Sequence, residues 1–388
     1  MIEIKKKVNC CGCEACGNIC PKGAIKFASD DKGDLYPNVS EELCVDCRLC
    51  EKVCPIINKP NSVNFDSPRA FAAWNYNSDQ RNNSTSGGVF PLLANVVLEN
   101  GGYVSGVMYE DDFTISHTII SKSCNLHKIL KTKYAQSNNN GVYKKVKELL
   151  ISDNSVLYCG TPCQVAGLKG FLMKDYDKLL TVELFCHGVI NQIIFKKYLE
   201  SIEKHNKSRV KSVEFRNKRN GWDKSSTVVS LANGSEYNKS NEDEYLMGYL
   251  RYNLYIRPSC TDCEFKSFPR QADISIGDLW GVETIMPEHD NKGASAVLIN
   301  SKKGQAFFEK ISDKLFINEL SLDFVVENNP SLITSYKLGK YSDKFYKKYK
   351  KYDFIKLLQR IKYLDTVSSK DNNFLGKIMI TKKYLVKK

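Results

Sequence analysis

The chain has 388 residues, a formal net charge of +13 at pH 7 and 15 cysteines. Cysteine-rich secreted scaffolds are short and follow an export signal, whereas here the charged segment 1–8 runs directly toward the first cysteine. No apolar run approaches the ~18 residues of a membrane-spanning helix. We therefore expect a cytoplasmic protein in a reducing compartment.

Eight cysteines near the N-terminus form two copies of one spacing. Each copy reads C-x2-C-x2-C-x3-C-P, the run by which bacterial ferredoxins hold [4Fe–4S] cubanes, and the fourth cysteine of each run binds the other cluster. The spacing therefore predicts one cluster on Cys10, Cys13, Cys16 and Cys54, and a second on Cys44, Cys47, Cys50 and Cys20. Zinc knuckles also use C-x2-C pairs, but they need neither the third cysteine nor the repeated C-P ending. Cys11 fits neither register and is interpreted as a spectator.

The predicted fold is multidomain, α+β followed by α/β. Residues 1–58 are predicted to form a ferredoxin-like domain with two clusters, and residues 59–68 a polar linker. Strands and helices then alternate, which is typical of an α/β region with ligand-binding loops at the carboxyl ends of its strands. Strands are predicted at 70–74, 103–109, 156–159 and 179–185, and helices at 88–99, 141–150 and 192–205.

Residues 311–388 are predicted to form a helical tail rich in Lys and Tyr. From residue 336 onward there are 16 Lys or Arg against 4 Asp or Glu, a net of +12, so nearly all of the chain's excess charge lies there. Between 341 and 364, apolar residues at three- and four-residue steps favour an amphipathic helix that packs on the body of the protein. Its Lys-rich face is either simply solvated or a docking face for an acidic redox partner. Nucleic-acid binding has no recognised module to support it.

A second set of cysteines lies in the α/β region. Cys163 and Cys186 each follow a predicted strand, and Cys260 and Cys263 form a C-x2-C pair. Four soft ligands suit one further cubane or one structural zinc. Two other interpretations remain: the four are ordinary buried cysteines that never meet, or His187 activates Cys163 as the nucleophile of a thiol enzyme.

Several motifs in this order resemble the coenzyme F420 hydrogenase/dehydrogenase beta-subunit family, over about residues 68–310. They are Ser86-Gly87-Gly88, residues 131–137, Gly160-Thr161-Pro162-Cys163-Gln164, Cys186-His187-Gly188, residues 257–263 and residues 272–281. The resemblance divides the region into an N-terminal part, 68–150, and a C-terminal part, 151–310. It implies FAD and a third [4Fe–4S] cluster on Cys163, Cys186, Cys260 and Cys263. It also implies that the flavin exchanges electrons between one-electron carriers and a two-electron substrate.

The substrate stays open at this point. Coenzyme F420 and an unsaturated metabolite of a polysaccharide pathway are the two candidates. We expect an oxidoreductase whose redox partner is a ferredoxin or another oxidoreductase subunit. The alternative is a non-catalytic electron-transfer subunit that serves a partner enzyme.

Candidate flavin contacts and substrate contacts follow from the same motifs. The glycine-rich start of a helix suits a phosphate, although it is also typical of a plain helix start. Predicted flavin contacts are Ser86, Gly87, Gly88, Lys131, Lys133, Ser137, Gly160, Thr161 and Gln164. Predicted catalytic or substrate-binding residues are His187, Arg216, Lys218 and Asp278, with Trp222 stacking on a ring. The competing interpretations are a solvated basic loop, a buried histidine, a β-hairpin turning at Asn220-Gly221 and a strand-end aspartate that caps the next element.

Overall fold

The computed structural model describes residues 1–60, 64–139, 141–240 and 242–366. The N-terminal part consists of two cysteine-bearing loops, two short helices and one antiparallel strand pair, in which Ile25 is opposite Val39. Its elements are α1 (Ala15–Ile19), β1 (Ile25–Ser29), β2 (Leu35–Val39) and α2 (Leu49–Lys52). The small core of this part contains cysteine side chains packed against Ile2 and Ile25.

The described residues beyond it build a large mixed sheet and a small antiparallel one. Their strands are β3 (Arg69–Asn75), β4 (Tyr103–Tyr109), β5 (Ile115–Ile120), β6 (Val156–Gly160), β7 (Leu179–Leu184), β8 (Val210–Asn217), β9 (Ser226–Leu231), β10 (Glu236–Ser240), β11 (Ile274–Asp278), β12 (Ser295–Ile299) and β13 (Leu315–Leu320). The large sheet has the order β13-β3-β12-β11-β7-β6-β4-β5, and the small one β10-β9-β8. The four central strands β11, β7, β6 and β4 are parallel, and the flanking pairs are antiparallel.

Helices cover both faces of the large sheet. The helices beyond the N-terminal part include α3 (Ser78–Asn82), α4 (Val89–Glu99), α5 (Val142–Ile151), α6 (Pro162–Leu172), α7 (Gln192–Asn206), α8 (Glu244–Leu246), α9 (Val282–Ile285), α10 (Lys302–Glu309), α11 (Leu322–Asn328) and α12 (Ser342–Tyr346). One apolar core lies between α4 and the sheet, and another lies between the sheet and α5 and α6. Strand β6 is buried along its whole length, as expected for a parallel strand covered on both faces. Within the described ranges, no helix combines the length and the apolar composition needed to cross a bilayer.

The predicted α/β pattern is confirmed. The strands predicted at 70–74, 103–109, 156–159 and 179–185 correspond to β3, β4, β6 and β7 within one residue at each end. The three predicted helices correspond to α4, α5 and α7. These elements were predictable because their apolar periodicity is local.

The large sheet contains strands from three of the segments predicted after residue 68. Strand β3, from the predicted N-terminal part, pairs with β12 and with β13, so one sheet crosses both predicted boundaries. Strand β13 also lies inside the segment predicted as a helical tail from residue 311. The tail itself is not one continuous helix: α12 ends at Tyr346, turns follow, and residues 354–366 are helical again. Residues 367–388 of the predicted tail lie outside the described residues.

The N-terminal part packs directly on α5 and α6. Glycines on α6 permit this approach, since a Cβ at Gly167 would lie 2.8 Å from the Cβ of Cys13, and one at Gly170 would lie 2.6 Å from the Val53 carbonyl oxygen. The segment predicted as a linker is also held to the body, because Asn64 donates to the carbonyl oxygens of Arg270 and Ala272 at 2.7 and 2.8 Å. The two regions are therefore in direct contact.

Candidate functional site

The fold brings the fourth cysteine of the second N-terminal run next to the first run. Burial raises the pKa of the Cys16 thiol, and the nearby thiols of Cys10 and Cys54 add to the rise. Burial likewise raises the pKa of Cys54, with a further contribution from Cys10. Cys54 of the second run therefore lies beside the first run, as the crossed arrangement requires.

The other set encloses a space of its own. A cavity in the N-terminal part is lined by Cys20, Cys44, Cys47 and Cys50, with Ile25 and Val39 among its apolar walls. These four are the ligands predicted for the second cluster. Within the described part of the chain, no three His, Cys, Asp or Glu side chains converge as they would around a single metal ion. Cubane ligands sit on four separate iron atoms, so they line a volume instead of meeting at one point. The donor set and its cavity fit a cubane.

The four later cysteines also come together. Burial raises the pKa of the Cys186 thiol to about 12, and Cys163 and Cys263 contribute to the rise. Burial raises the pKa of Cys260 as well, with contributions from the other three. The four half-buried thiols thus form one group, at the ends of β6 and β7 and in the turn Pro258–Asp262 with the residue that follows it, which the interpretation as unrelated core cysteines did not anticipate.

This group touches the N-terminal part through Cys11. The Cys11 side chain is buried and lies in one core cluster with Cys13, against which the partly buried Cys163 packs. Cys13 belongs to the first predicted cluster and Cys163 to the third. Although predicted to be a spectator, Cys11 therefore lies at the contact between two predicted ligand sets.

The thiol-enzyme interpretation finds no support in the geometry around His187. Its Nε2 lies 2.8 Å from Asn253 Oδ1, and its ring stacks on Tyr336 at 4.0 Å. The Cys163 sulfur instead lies 3.2 Å from Thr161 Oγ1. Burial lowers the pKa of His187, which favours the neutral ring.

A large cavity of about 470 Å³ opens at the carboxyl ends of β4, β6, β7 and β11. Its size is that of a site for a small molecule or cofactor. Most of the predicted flavin and substrate residues line it: Ser86, Gly88, Lys131, Lys133, Ser137, Gly160, Thr161, Gln164, His187, Arg216 and Asp278. Cys186 is part of the same wall, so the third group of cysteines adjoins the cavity.

Two predicted contacts do not face this cavity. A Cβ on Gly87 would lie 2.3 Å from the Ala73 carbonyl oxygen and 2.7 Å from the Ser295 nitrogen. A side chain at position 87 would therefore collide with the backbone of two strands, and Gly87 is not part of the cavity wall, which differs from the predicted phosphate contact. The Lys218 ammonium donates to the carbonyl oxygens of Arg81, Ser86 and Lys292, at 2.5 to 2.8 Å. Lys218 therefore holds a loop in place and is not part of the cavity wall, which differs from the predicted substrate contact.

The lysines of the 131–137 loop line the cavity, but their charges are engaged. Lys133 donates to the Leu130 carbonyl oxygen at 2.5 Å, and burial lowers the pKa of its ammonium to about 7. Lys131 forms an ion pair with Glu214. These side chains brace their own loop, which differs from the predicted supply of free charge for a phosphate.

A buried polar network lies beneath the cavity. Gln164 closes a capping box on Thr161 at the start of α6 and donates to Ser137 Oγ at 3.0 Å. Ser137 Oγ lies 2.9 Å from Nδ1 of His117, whose Nε2 lies 3.2 Å from the Cys159 carbonyl oxygen. Because a carbonyl oxygen only accepts, we assign the His117 proton to Nε2, and Nδ1 then accepts from Ser137. Burial lowers the pKa of His117 to about 4, which is consistent with a neutral ring. His117 was not among the predicted site residues, because a single histidine inside a strand carries no motif.

One rim of the cavity combines a cation, a carboxylate and two indoles. Arg216 donates to Asp278 at 3.3 Å, and its guanidinium lies 4.9 Å from the centre of the Trp280 ring. Trp222 is 3% exposed and stacks on Trp280, with ring centres 5.0 Å apart. Trp280 is 40% exposed and lines the cavity. The aromatic surface offered to a ligand is therefore that of Trp280, and Trp222, predicted for this role, supports it from behind.

The strands leading to this rim match the expected hairpin only in part. Strands β8 and β9 pair antiparallel, but residues 218–225 connect them. A turn from Lys218 to Gly221 lies within this connection. The longer connection brings Trp222 under Trp280.

Comparison with known proteins agrees with this organisation. Residues 153–323 match the family model for the C terminus of the beta subunit of coenzyme F420 hydrogenase/dehydrogenase, and residues 9–56 match the 4Fe-4S dicluster domain. An uncharacterized protein of Methanocaldococcus jannaschii is 26% identical over 79% of this chain and 88% of its own length. A subunit of the F(420)H(2) dehydrogenase of Methanosarcina mazei is 22% identical over 80% of this chain and 84% of its own. Among solved structures, a chain of the F420-reducing [NiFe] hydrogenase complex from Methanosarcina barkeri is 19% identical, with a TM-score of 0.49 over 69% of this chain and 89% of that one.

The matched family segment contains three elements of the candidate site. Both cysteines that follow strands and the C-x2-C pair fall within residues 153–323, as do β6, β7 and β11. The dicluster match contains all eight cysteines of the two N-terminal runs. Residues 153–323 are therefore similar to the C terminus of the coenzyme F420 hydrogenase/dehydrogenase beta subunit, and residues 9–56 form a 4Fe-4S dicluster domain near the N-terminus.

Proposed function

We propose that this protein is an iron–sulfur flavoprotein oxidoreductase with three [4Fe–4S] clusters and FAD. The observation that carries the proposal is a continuous series of contacts from the dicluster domain to the large cavity. Cys11 joins Cys13 to Cys163, the Cys163 group includes Cys186, and Cys186 lies in the cavity wall. This series gives electrons a path between the N-terminal clusters and a molecule bound in the cavity.

Bound FAD would supply the conversion between single electrons and a hydride. Two one-electron transfers through the clusters balance each hydride exchanged with the substrate. The start of α4 contributes Ser86, Gly88 and backbone amides to one wall, which suits the pyrophosphate of the cofactor. Thr161 and Gln164 at the start of α6 line the cavity next to the third group of cysteines, where they suit the isoalloxazine edge.

The rim residues Arg216, Asp278 and Trp280 are the proposed substrate contacts. A guanidinium beside an exposed indole suits a planar molecule that carries negative charge. A deazaflavin such as coenzyme F420 has this character, and the names of the relatives that act on F420 agree with it. An unsaturated metabolite with an acidic group is the second candidate. His187 lies on the same wall and is the proposed proton donor or acceptor.

Anaerobic purification followed by a substrate screen tests the proposal. The protein should release noncovalent FAD on acid precipitation. Reduced F420, NADH and unsaturated sugar derivatives are then added separately, and flavin absorbance is followed. One of them should bleach the flavin without any partner protein. FMN, or no flavin after reconstitution, would refute the proposed cofactor, and a flavin that reacts only when a partner protein is added would favour the electron-transfer role.

Variants at the rim make the test specific. Arg216→Gln and Trp280→Ala should raise the KM for the substrate about tenfold or more while FAD stays bound. Arg219→Gln is the matched control, because Arg219 lies three residues away and pairs with Glu236 on the surface. Equal KM values in the Arg216 variant and its control would exclude the proposed substrate contact.

A further inference from the structure

A buried arginine connects the two regions of the chain. Arg257 begins the turn that carries Cys260 and Cys263, yet its side chain extends into the dicluster domain and is 1% exposed. Gly12 makes room for it, since a Cβ there would lie 2.9 Å from the Arg257 Cζ. A guanidinium so deeply buried must find compensating partners, because its desolvation costs several kcal/mol.

Those partners are almost all on the dicluster domain. Arg257 Nε donates to the Cys10 carbonyl oxygen at 2.9 Å, and Nη2 donates to the Leu35 carbonyl oxygen at 2.8 Å. The guanidinium lies 4.7 Å from the centre of the Tyr36 ring and 4.0 Å from the buried Asp34 carboxylate. Arg257 thus holds the loop that contains Cys10, together with strand β2, against the region that carries Cys260 and Cys263.

One further contact reaches a predicted cluster ligand. Arg257 Nη2 lies 3.6 Å from the Cys10 sulfur, within hydrogen-bonding range for sulfur. Nη1 donates to Gln136 Oε1 at 3.1 Å, and Gln136 Nε2 donates back to the Cys11 carbonyl oxygen at 2.9 Å. Gln136 also lines the large cavity. The guanidinium is therefore fixed in orientation beside the sulfur by partners on both sides.

We propose that Arg257 sets the reduction potential of the cluster held by Cys10, Cys13, Cys16 and Cys54. The inference rests on the proposed function, in that it requires this cluster. Reduction adds one electron and hence one negative charge, while no bond forms or breaks. A buried fixed cation and an N–H···S hydrogen bond both stabilise the reduced form, so they raise the potential.

The position of this cluster explains how a raised reduction potential would affect electron transfer. Its ligand loop touches Cys163 through Cys11, so it is the inner of the two N-terminal clusters. A raised potential at the inner position draws electrons from the outer cluster toward the third group of cysteines. Arginine suits this role better than lysine, because one planar guanidinium contacts the carbonyl oxygen and the sulfur of Cys10 at the same time.

An anaerobic redox titration followed by EPR tests the proposal on the whole chain. In Arg257→Gln, the equilibrium constant for reducing one cluster should fall at least tenfold, which is about 59 mV for a one-electron couple. Signals of the remaining clusters should stay in place. Arg257→Lys keeps the positive charge but lacks the planar guanidinium. It should lower the reduction potential of the same cluster by a smaller amount.

Arg81→Gln is the matched control for removing a buried arginine. Arg81 is 4% exposed and pairs with Asp290, in contact with the loop before α4. Its loss should destabilise the protein but move none of the three potentials. If Arg257→Gln keeps its full iron content and the reduction potential of this cluster is unchanged, the proposal is overturned. Arg257 would then only hold the two regions of the chain together.

Two further outcomes are distinguishable. If Arg257→Gln loses iron, the Arg257→Lys variant tests the proposal instead. An unchanged reduction potential in an Arg257→Lys protein with its full iron content would overturn the proposal. If the unmodified protein itself lacks the expected cluster signals, the proposed function fails, and that failure is seen before any Arg257 variant is measured.

Discussion

Gly87 illustrates how a residue beside a cavity can serve the fold instead of a ligand. Its nitrogen donates to Ser295 Oγ, and its carbonyl oxygen accepts from the Asn75 nitrogen, so it is clamped between β3 and β12. Gly87→Ala should lower the free energy of unfolding by about 3 kcal/mol, since the added methyl group meets backbone on two strands. Denaturant unfolding measures the loss.

Gly234→Ala is the control for this variant. Gly234 has a φ of +85° and open space around its Cα, so alanine there costs only backbone strain of about 1 kcal/mol. An equal decrease in the free energy of unfolding in the two variants would mean that β3 and β12 move apart to accommodate the methyl group.

At this scale, the cysteines were predictable and the lysines were not. A repeated spacing predicts ligands because it is a local pattern, and the structure brings Cys10, Cys16 and Cys54 near one another and Cys20, Cys44, Cys47 and Cys50 around one cavity. Whether a lysine faces a ligand depends instead on distant backbone. Lys218 is held by carbonyl groups 74 and more positions away in the sequence, which no local pattern reveals. The same holds for Arg257, whose partner Cys10 is 247 residues distant.

Among the elements, the C-terminal segment combines a buried stripe with an exposed basic face. Phe345, Tyr349, Ile355 and Leu358 are buried against the core that includes α7, whereas Tyr352 is 56% exposed. The periodicity predicted most of the buried positions. It could not reveal the turns between α12 and the following helical residues, which place Tyr352 in solvent, nor the pairing of β13 with the distant β3.

The basic face of this segment gives a salt-dependent prediction. Reversing the charge at Lys347, Lys348, Lys350 and Lys351 should leave iron and flavin content unchanged. It should slow reduction by an acidic ferredoxin about tenfold at low salt, because long-range attraction speeds encounter and is screened by salt. Stopped-flow absorbance measures the rates, and dithionite, which needs no docking, should reduce both proteins equally fast.

A control with the same change in charge isolates the location. Lys144, Lys145, Lys310 and Lys314 are exposed elsewhere on the surface, and reversing them should slow the ferredoxin reaction less. Equal effects of the two quadruple variants would show that net charge alone matters. If the rate at which ferredoxin reduces the unmodified protein does not depend on salt, the basic face is a solvated surface and not a docking site.

For the whole molecule, the cluster count is the most direct expectation. Three cubanes require about 12 iron and 12 acid-labile sulfide per chain. Replacing Cys260 and Cys263 together with alanine should remove one cluster, about 4 iron, and preserve the EPR signals of the N-terminal domain. Cys124→Ala is the control, because that thiol is exposed and lies in neither run nor the later group. A double variant that keeps its full iron, or that holds zinc there, would contradict the third cluster.

The docking of the dicluster domain on α5 and α6 has a kinetic consequence. A separate ferredoxin reaches its enzyme by diffusion, so its rate depends on concentration and ionic strength. Here the inner cysteine loop is already seated against the third group of cysteines, and this transfer becomes a first-order step that neither dilution nor salt alters. The outer set includes the exposed Cys47 and can therefore face an external donor or acceptor. Flux through the protein should then saturate with donor concentration at a ceiling fixed by internal geometry.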